Sequence, residues 1–129
     1  MTNTLPITSL YAAVFGLLLI PITYAVGLRR MKTRTSFLDG GDRILLRRMR
    51  SHGNFVEYVP FALILIGLAE LNGASSAYMH SMGSLLLISR VVHYVVINFR
   101  PVVAIRVLSM LGTTAVFLMS SAYLIIANI

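Results

Sequence analysis

The sequence predicts an all-α membrane protein, a bundle of four transmembrane helices forming one domain over residues 1–129. Three observations carry this reading. The chain is 57% hydrophobic but only 12% charged, and a soluble domain of this size needs more charge to cover its surface, so lipid must be part of the solvent. Long apolar runs are separated by short polar segments, each run of a length that crosses a bilayer as a helix. Finally, eight of the eleven Lys and Arg residues fall between positions 29 and 50, the pattern that holds a loop on the cytoplasmic side of a membrane.

The first span is placed at about 8–28. It carries no charge, and at roughly 1.5 Å per residue it just crosses a hydrocarbon core of roughly 30 Å. A cleaved signal peptide is not expected, because residues 1–4 hold no basic side chain and the apolar run is too long. Pro21 removes one backbone donor and should bend this helix. Residues 29–42 are basic, then Gly-rich, and read as a loop with Asp42 as the N-cap of the next helix. That second helix, about 43–72, starts polar, turns apolar after Glu57 and stops at Asn72 and Gly73. Ser75 or Ser76 can cap the third, about 76–99, which ends at Arg100 and Pro101. The fourth span, about 104–127, is uncharged from Val107 onward.

Composition also excludes chemistries. With no cysteine there are no disulfides, no protein thiolate and no cysteine-ligated metal, so any thiol chemistry uses a ligand's sulfur. No histidine and carboxylate share a metal-ligand spacing such as i, i+4, and no metal site is expected. The net charge of +7 does not point to nucleic acid, because the basic stretch lacks interleaved aromatics and any recognition motif.

The polar residues of the second helix form a pattern. At about 3.6 residues per turn, Arg43, Arg47, Arg50, Asn54 and Glu57 fall within a stripe roughly 80° wide. Glu57 lies about two turns, roughly 10 Å, inward from Arg50, where an ionised carboxylate needs a partner. On the third helix Arg90, His93, Tyr94 and Ile97 follow i, i+3, i+4, i+7 spacing. A Glu57 to Arg90 ion pair is the structural reading of these residues. Yet that bridge uses one cation, while Arg50, His93 and Arg106 converge near the same boundary. The surplus positive charge suits a small polyanionic ligand carrying one amine. His52 lies about 200° from the stripe and faces another surface, and His80 sits near the outer loop.

The run Arg50-Ser51-His52-Gly53-Asn54-Phe55-Val56-Glu57-Tyr58-Val59-Pro60 resembles the second-helix signature of the MAPEG superfamily, membrane-associated proteins in eicosanoid and glutathione metabolism. Its pattern Arg-x-x-x-Asn-x-x-Glu-Tyr-x-Pro is filled at every position. The run Arg90-Val91-Val92-His93, with Arg106 beyond it, resembles the microsomal prostaglandin E synthase branch, and the short chain is most similar to small bacterial members. The resemblance implies a homotrimer of four-helix bundles in a bacterial inner membrane, binding glutathione as cosubstrate between subunits. Lipophilic small molecules would arrive through the surrounding lipid. It further implies glutathione contacts from Arg50, Asn54, Glu57, Tyr58, Arg90, His93 and Tyr94, with Arg29 or Arg30 and His52 reaching in from a neighbour. Arg106 is implied as the catalytic group that stabilises the thiolate. Ile97, where several members have tyrosine, and Val107, where the prostaglandin synthase has serine, point away from prostaglandin isomerisation.

A glutathione transferase-like or peroxidase-like enzyme is therefore expected. The rival readings are a small multidrug-type transporter with a buried Glu and a noncatalytic glutathione-binding membrane protein. Transporters of that type hold the acid in the first span, which here is uncharged. The basic loops after the first and third spans place both termini outside the cytoplasm. A cysteine introduced near Gly40 should accordingly resist an impermeant thiol reagent added to intact cells, and labelling from outside would invert the topology.

Overall fold

A computed structural model describes residues 4–129. Residues 1–3, part of the segment that argued against a signal peptide, lie outside the described residues. Four helices follow in order: α1 Pro6–Thr33, α2 Arg43–Leu71, α3 Ser76–Asn98 and α4 Val103–Ala127. Each is long and apolar enough to cross a membrane, and the protein is an integral multi-pass membrane protein.

The helix ends follow local chemistry. Asp42 caps α2 by accepting the Leu45 amide at 2.6 Å, and Ser75 caps α3 by accepting the Tyr78 amide at 3.3 Å. Gly73, at φ +79°, turns the chain beyond the Asn72 cap. Pro21 and Pro60 lie inside α1 and α2 without ending them. Helix α1 is longer than the uncharged run predicted, continuing through Arg29 and Arg30 to Thr33. Charge limits burial in lipid, not helicity, and the end comes where Arg34 adopts a left-handed φ of 51°.

At its start, α1 has Pro6 in the first turn and no side-chain cap of its own. The acceptor comes from α2, whose Glu70 carboxylate takes the amides of Ile7 at 2.9 Å and Thr8 at 2.8 Å. A carboxylate at a helix N-terminus also complements the helix dipole. Glu70 thereby pins the start of α1 to the end of α2.

Helices α2 and α3 are central, with α1 packed on both and α4 packed on both from the other side. Phe15, Phe55, Ala62, Ile66, Met79, Leu86 and Val116 form the core, with the Phe15 and Phe55 rings meeting edge to face at 5.9 Å. Leu17, Leu28, Leu108 and Leu118 point outward, as lipid-facing residues do. Side chains of neighbouring helices fill the space left by two glycines. The Tyr11 ring occupies the space a Cβ on Gly83 would need, and its hydroxyl bonds Ser84 Oγ at 2.8 Å and the His80 carbonyl at 3.1 Å. Ser89 likewise fills the Cβ position of Gly112, joining α3 to α4. Gly83→Ala should drive the Tyr11 ring out of place and cost about 1–3 kcal/mol, as overpacking does. The measurement is thermal unfolding in detergent, and an unchanged midpoint would show that α1 can shift freely.

Candidate functional site

The site lies at the basic ends of α2, α3 and α4. A cavity of about 480 Å³ is lined by Arg47, Arg50 and Asn54 from α2, His93 from α3, and Arg106 and Met110 from α4. A second cavity, about 420 Å³, shares Leu46, Arg50 and Asn54 with the first and holds Glu57 and, from the loop, Leu38 and Asp39. Four of the five stripe residues on α2 thus line one or both cavities. Arg43, in the first turn, lines neither.

The polar contacts around the cavities are sparse. Asn54 donates its amide to the Arg50 carbonyl at 3.0 Å, one helical turn back. Glu57 is exposed at the surface of the single chain and has no hydrogen-bond or ion-pair partner among the described residues. His93 is 4% exposed, with Nδ1 2.9 Å from the Ser109 hydroxyl and Nε2 without a partner among the described residues.

Arg90 departs from expectation. No ion pair joins it to Glu57, and the one ion pair among the described residues is Arg29 with Asp42. Arg90 is 2% exposed, its guanidinium carbon lies 5.4 Å from the Tyr58 ring centre, and Nη2 donates to the Ser109 carbonyl and Met110 sulfur, both at 3.4 Å. The reason is angular. Tyr58 follows Glu57 by about 100° around α2, so the ring faces α3 while the carboxylate faces away. The aromatic face substitutes for the expected anion, leaving Nε and Nη1 of Arg90 unpartnered among the described residues.

Tyr94 also parts from His93. Although both lie on the predicted face of α3, Tyr94 lines grooves on the α1 side, one with Leu18, Pro21 and Arg90 and another with Arg47, Arg48 and Asn98. A stripe wide enough to include both residues meets different neighbours at its two edges, because α3 is central. His52 is half-buried and lines neither cavity.

Arg29 and Arg30 are engaged within the chain as braces of the α1–α2 loop. Arg29 grips Asp42 at 2.7 and 3.0 Å in a bidentate pair. Arg30 Nη1 donates to the carbonyls of Thr35, Ser36 and Leu38 at 3.3, 3.2 and 3.0 Å, and Nη2 to the Met49 sulfur at 3.4 Å. These contacts hold Leu38 and Asp39 beside the second cavity.

The family pattern described as the MAPEG family matches residues 8–126. The chain belongs to the MAPEG family. This MAPEG chain is 40% identical over 88 residues to the inner membrane protein YecN of Escherichia coli strain K12, covering 68% of the chain and 67% of that protein. The same figures hold for the inner membrane protein YecN of Escherichia coli O6:H1. No solved structure matches.

Three contributors to the candidate site escaped the sequence reading. Ser109 orients His93, and its signal was a hydroxyl three residues after Arg106 in an otherwise apolar run. Met110 takes a hydrogen bond from Arg90, and nothing in the sequence sets it apart from other methionines. Asp39 was read as part of a turn, and only the Arg30 braces bring it to the cavity.

The loop brace responds to acid. The Arg29 guanidinium, followed by the Leu45 amide, holds the Asp42 carboxyl down to about 2 from an ordinary 3.8. A carboxyl depressed in the folded state contributes its stabilisation above the ordinary value and loses it as pH falls through the folded one. Loosening of the α1–α2 loop should therefore run from about pH 4 to about pH 2. Asp42→Asn should show the same loosening at neutral pH, read as faster proteolysis at residues 34–42. Equal cleavage of parent and variant would remove this role from the ion pair.

Proposed function

We propose that the protein is a glutathione-dependent membrane enzyme of the transferase or peroxidase type, acting on lipophilic electrophiles that reach it through the bilayer. The observation that carries this is the charge pattern of the adjoining cavities. Arg47, Arg50 and Arg106 line the larger one with no carboxylate in its lining, and Glu57, in the neighbouring one, has no partner among the described residues. Glutathione has two carboxylates and one ammonium, the complement of this pattern.

In this reading Arg47 and Arg50 hold the carboxylates, Asn54 adds amide hydrogen bonds, and Glu57 takes the ammonium. Arg106, at the mouth of α4, stabilises the thiolate, since a nearby cation favours the charged form of a thiol. The exposed position of Glu57 in the single chain agrees with a homotrimer in which a second copy covers it, with His52 at the contact. Arg29 and Arg30 serve the site by bracing the loop. The protein sits in a bacterial inner membrane, as the YecN proteins are named to do, with both termini outside the cytoplasm.

Calorimetry with purified protein in detergent tests the reading: glutathione should bind saturably. Glu57→Gln, which keeps the volume and removes the charge, should weaken binding by about 1.5–3 kcal/mol, as for hydrogen bonds to charged groups. No heat at millimolar glutathione would sink the proposal and favour a transporter. Binding without turnover of any electrophile would mark a noncatalytic binding protein. Unchanged affinity in the variant would remove Glu57 from the ammonium site.

A further inference from the structure

Unpartnered polar atoms are costly inside a membrane bundle and tend to mark function. His93 Nε2 is one, and the hydrogen bonds around it define what that atom can do. Ser109 Oγ has a single hydrogen, and it donates this to the Arg106 carbonyl at 2.7 Å. With its hydrogen committed, the Ser109 oxygen can only accept from the imidazole 2.9 Å away. The hydrogen between them therefore belongs to His93 Nδ1. A neutral imidazole has one N–H, so Nε2 carries a lone pair and no hydrogen.

The holder is itself held. Arg90 Nη2 and Thr113 Oγ1 both donate to the Ser109 carbonyl at 3.4 Å, so α3 and α4 fix this turn from two directions. His93 and Arg106 line the same cavity, and Ser109 links the imidazole of one to the backbone of the other. A histidine whose Nε2 is buried without a partner among the described residues and an arginine line one cavity, and together they suit the deprotonation of a thiol.

We propose that Ser109 locks His93 in its Nδ1–H tautomer, so that Nε2 is the proton acceptor for the thiol bound in this cavity; this rests on the glutathione reading above. The S–H bond breaks, its electron pair stays on sulfur beside Arg106, and the proton passes to Nε2. When the thiolate opens an epoxide, an S–C bond forms, a C–O bond breaks, and the resulting alkoxide takes the proton back from Nε2. The ring returns to neutral and no further reagent is consumed. His93 is then a catalytic residue, and Ser109 a positioning residue that acts through it.

The charged groups around His93 are Arg90 on its own helix, Arg47 and Arg50 on α2 and Arg106 on α4, with Glu57 and Asp39 in the adjoining cavity. Arginines stay protonated throughout the working range. Within the larger cavity's lining, the imidazole is the side chain able to accept a proton, because the arginines hold theirs.

Two measurements test the proposal. In protein labelled with nitrogen-15 histidine, without ligand, long-range proton–nitrogen correlation spectra should show the Nδ1–H pattern for His93, assigned by its loss in His93→Asn. Ser109→Ala should shift that pattern toward the other tautomer. An Nε2–H pattern in the parent overturns the lock. With glutathione and styrene oxide, His93→Gln keeps a weakly basic acceptor near the Nε2 position. The variant should still bind glutathione saturably, yet lose on the order of 100-fold in kcat, as removal of a general base does. The acidic limb of its pH profile should disappear, and Ser109→Thr should retain the parent's kcat where Ser109→Ala does not. Parental kcat and pH profile in His93→Gln overturn the base role. If the parent binds no glutathione, the glutathione reading falls and the base role with it, while the spectra still decide the lock.

Discussion

The contact between α3 and α4 sets the position of the polar groups in this protein's interior. Gly112 presents no side chain, so the Ser89 side chain of α3 sits where a Cβ would be and α3 packs closely on α4. At that separation Arg90 reaches the Ser109 carbonyl and His93 reaches the Ser109 hydroxyl. Between helices in lipid no hydrophobic driving force exists, so small residues and hydrogen bonds of this kind supply the association. A larger residue at position 112 would part the helices and leave two buried cationic or titratable side chains without their acceptors.

From that contact the electrostatics of the bundle follow. Arg90 is buried against an aromatic ring, a carbonyl and a sulfur, none of which carries a formal charge. Its charge therefore adds to that of Arg47, Arg50 and Arg106 nearby instead of being neutralised, and positive potential accumulates at one end of the bundle. At the opposite end Glu70 caps α1, while Tyr11, His80 and Ser84 form a compact hydrogen-bonded set. That end is closed by its own partners. The basic end has donors left over, which is the condition for binding an anion.

The loop between α1 and α2 ties the first helix to the site without placing it there. Arg29 and Arg30 sit at the end of α1, where side chains can reach back across the turn, and both are consumed by the loop and the α2 cap. Helix α1 does not touch α4. Its part is to present the loop and shield α2 and α3, and for that reason its apolar face needs no chemistry.

Read as a linear chain, the sequence determined the number of helices, the cap at Asp42, the choice of Ser75 or Ser76 for the cap of α3, the terminator at Asn72 and Gly73, and the stripe of Arg47, Arg50, Asn54 and Glu57. These depend on length, periodicity and short-range hydrogen bonds, which are local. The family signature at Arg50 to Pro60 was equally legible, because it is a string of residue types. Partner choice was not. Whether Arg90 meets Glu57 or Tyr58 turns on about 100° of rotation about α2, and whether Tyr94 shares a cavity with His93 depends on which neighbours flank α3. Glu70 capping α1 and Ser109 orienting His93 join residues 63 and 16 positions apart. Such pairings exist only once the helices have packed, because they are set by interaxial distance and rotation, which no spacing along the chain encodes.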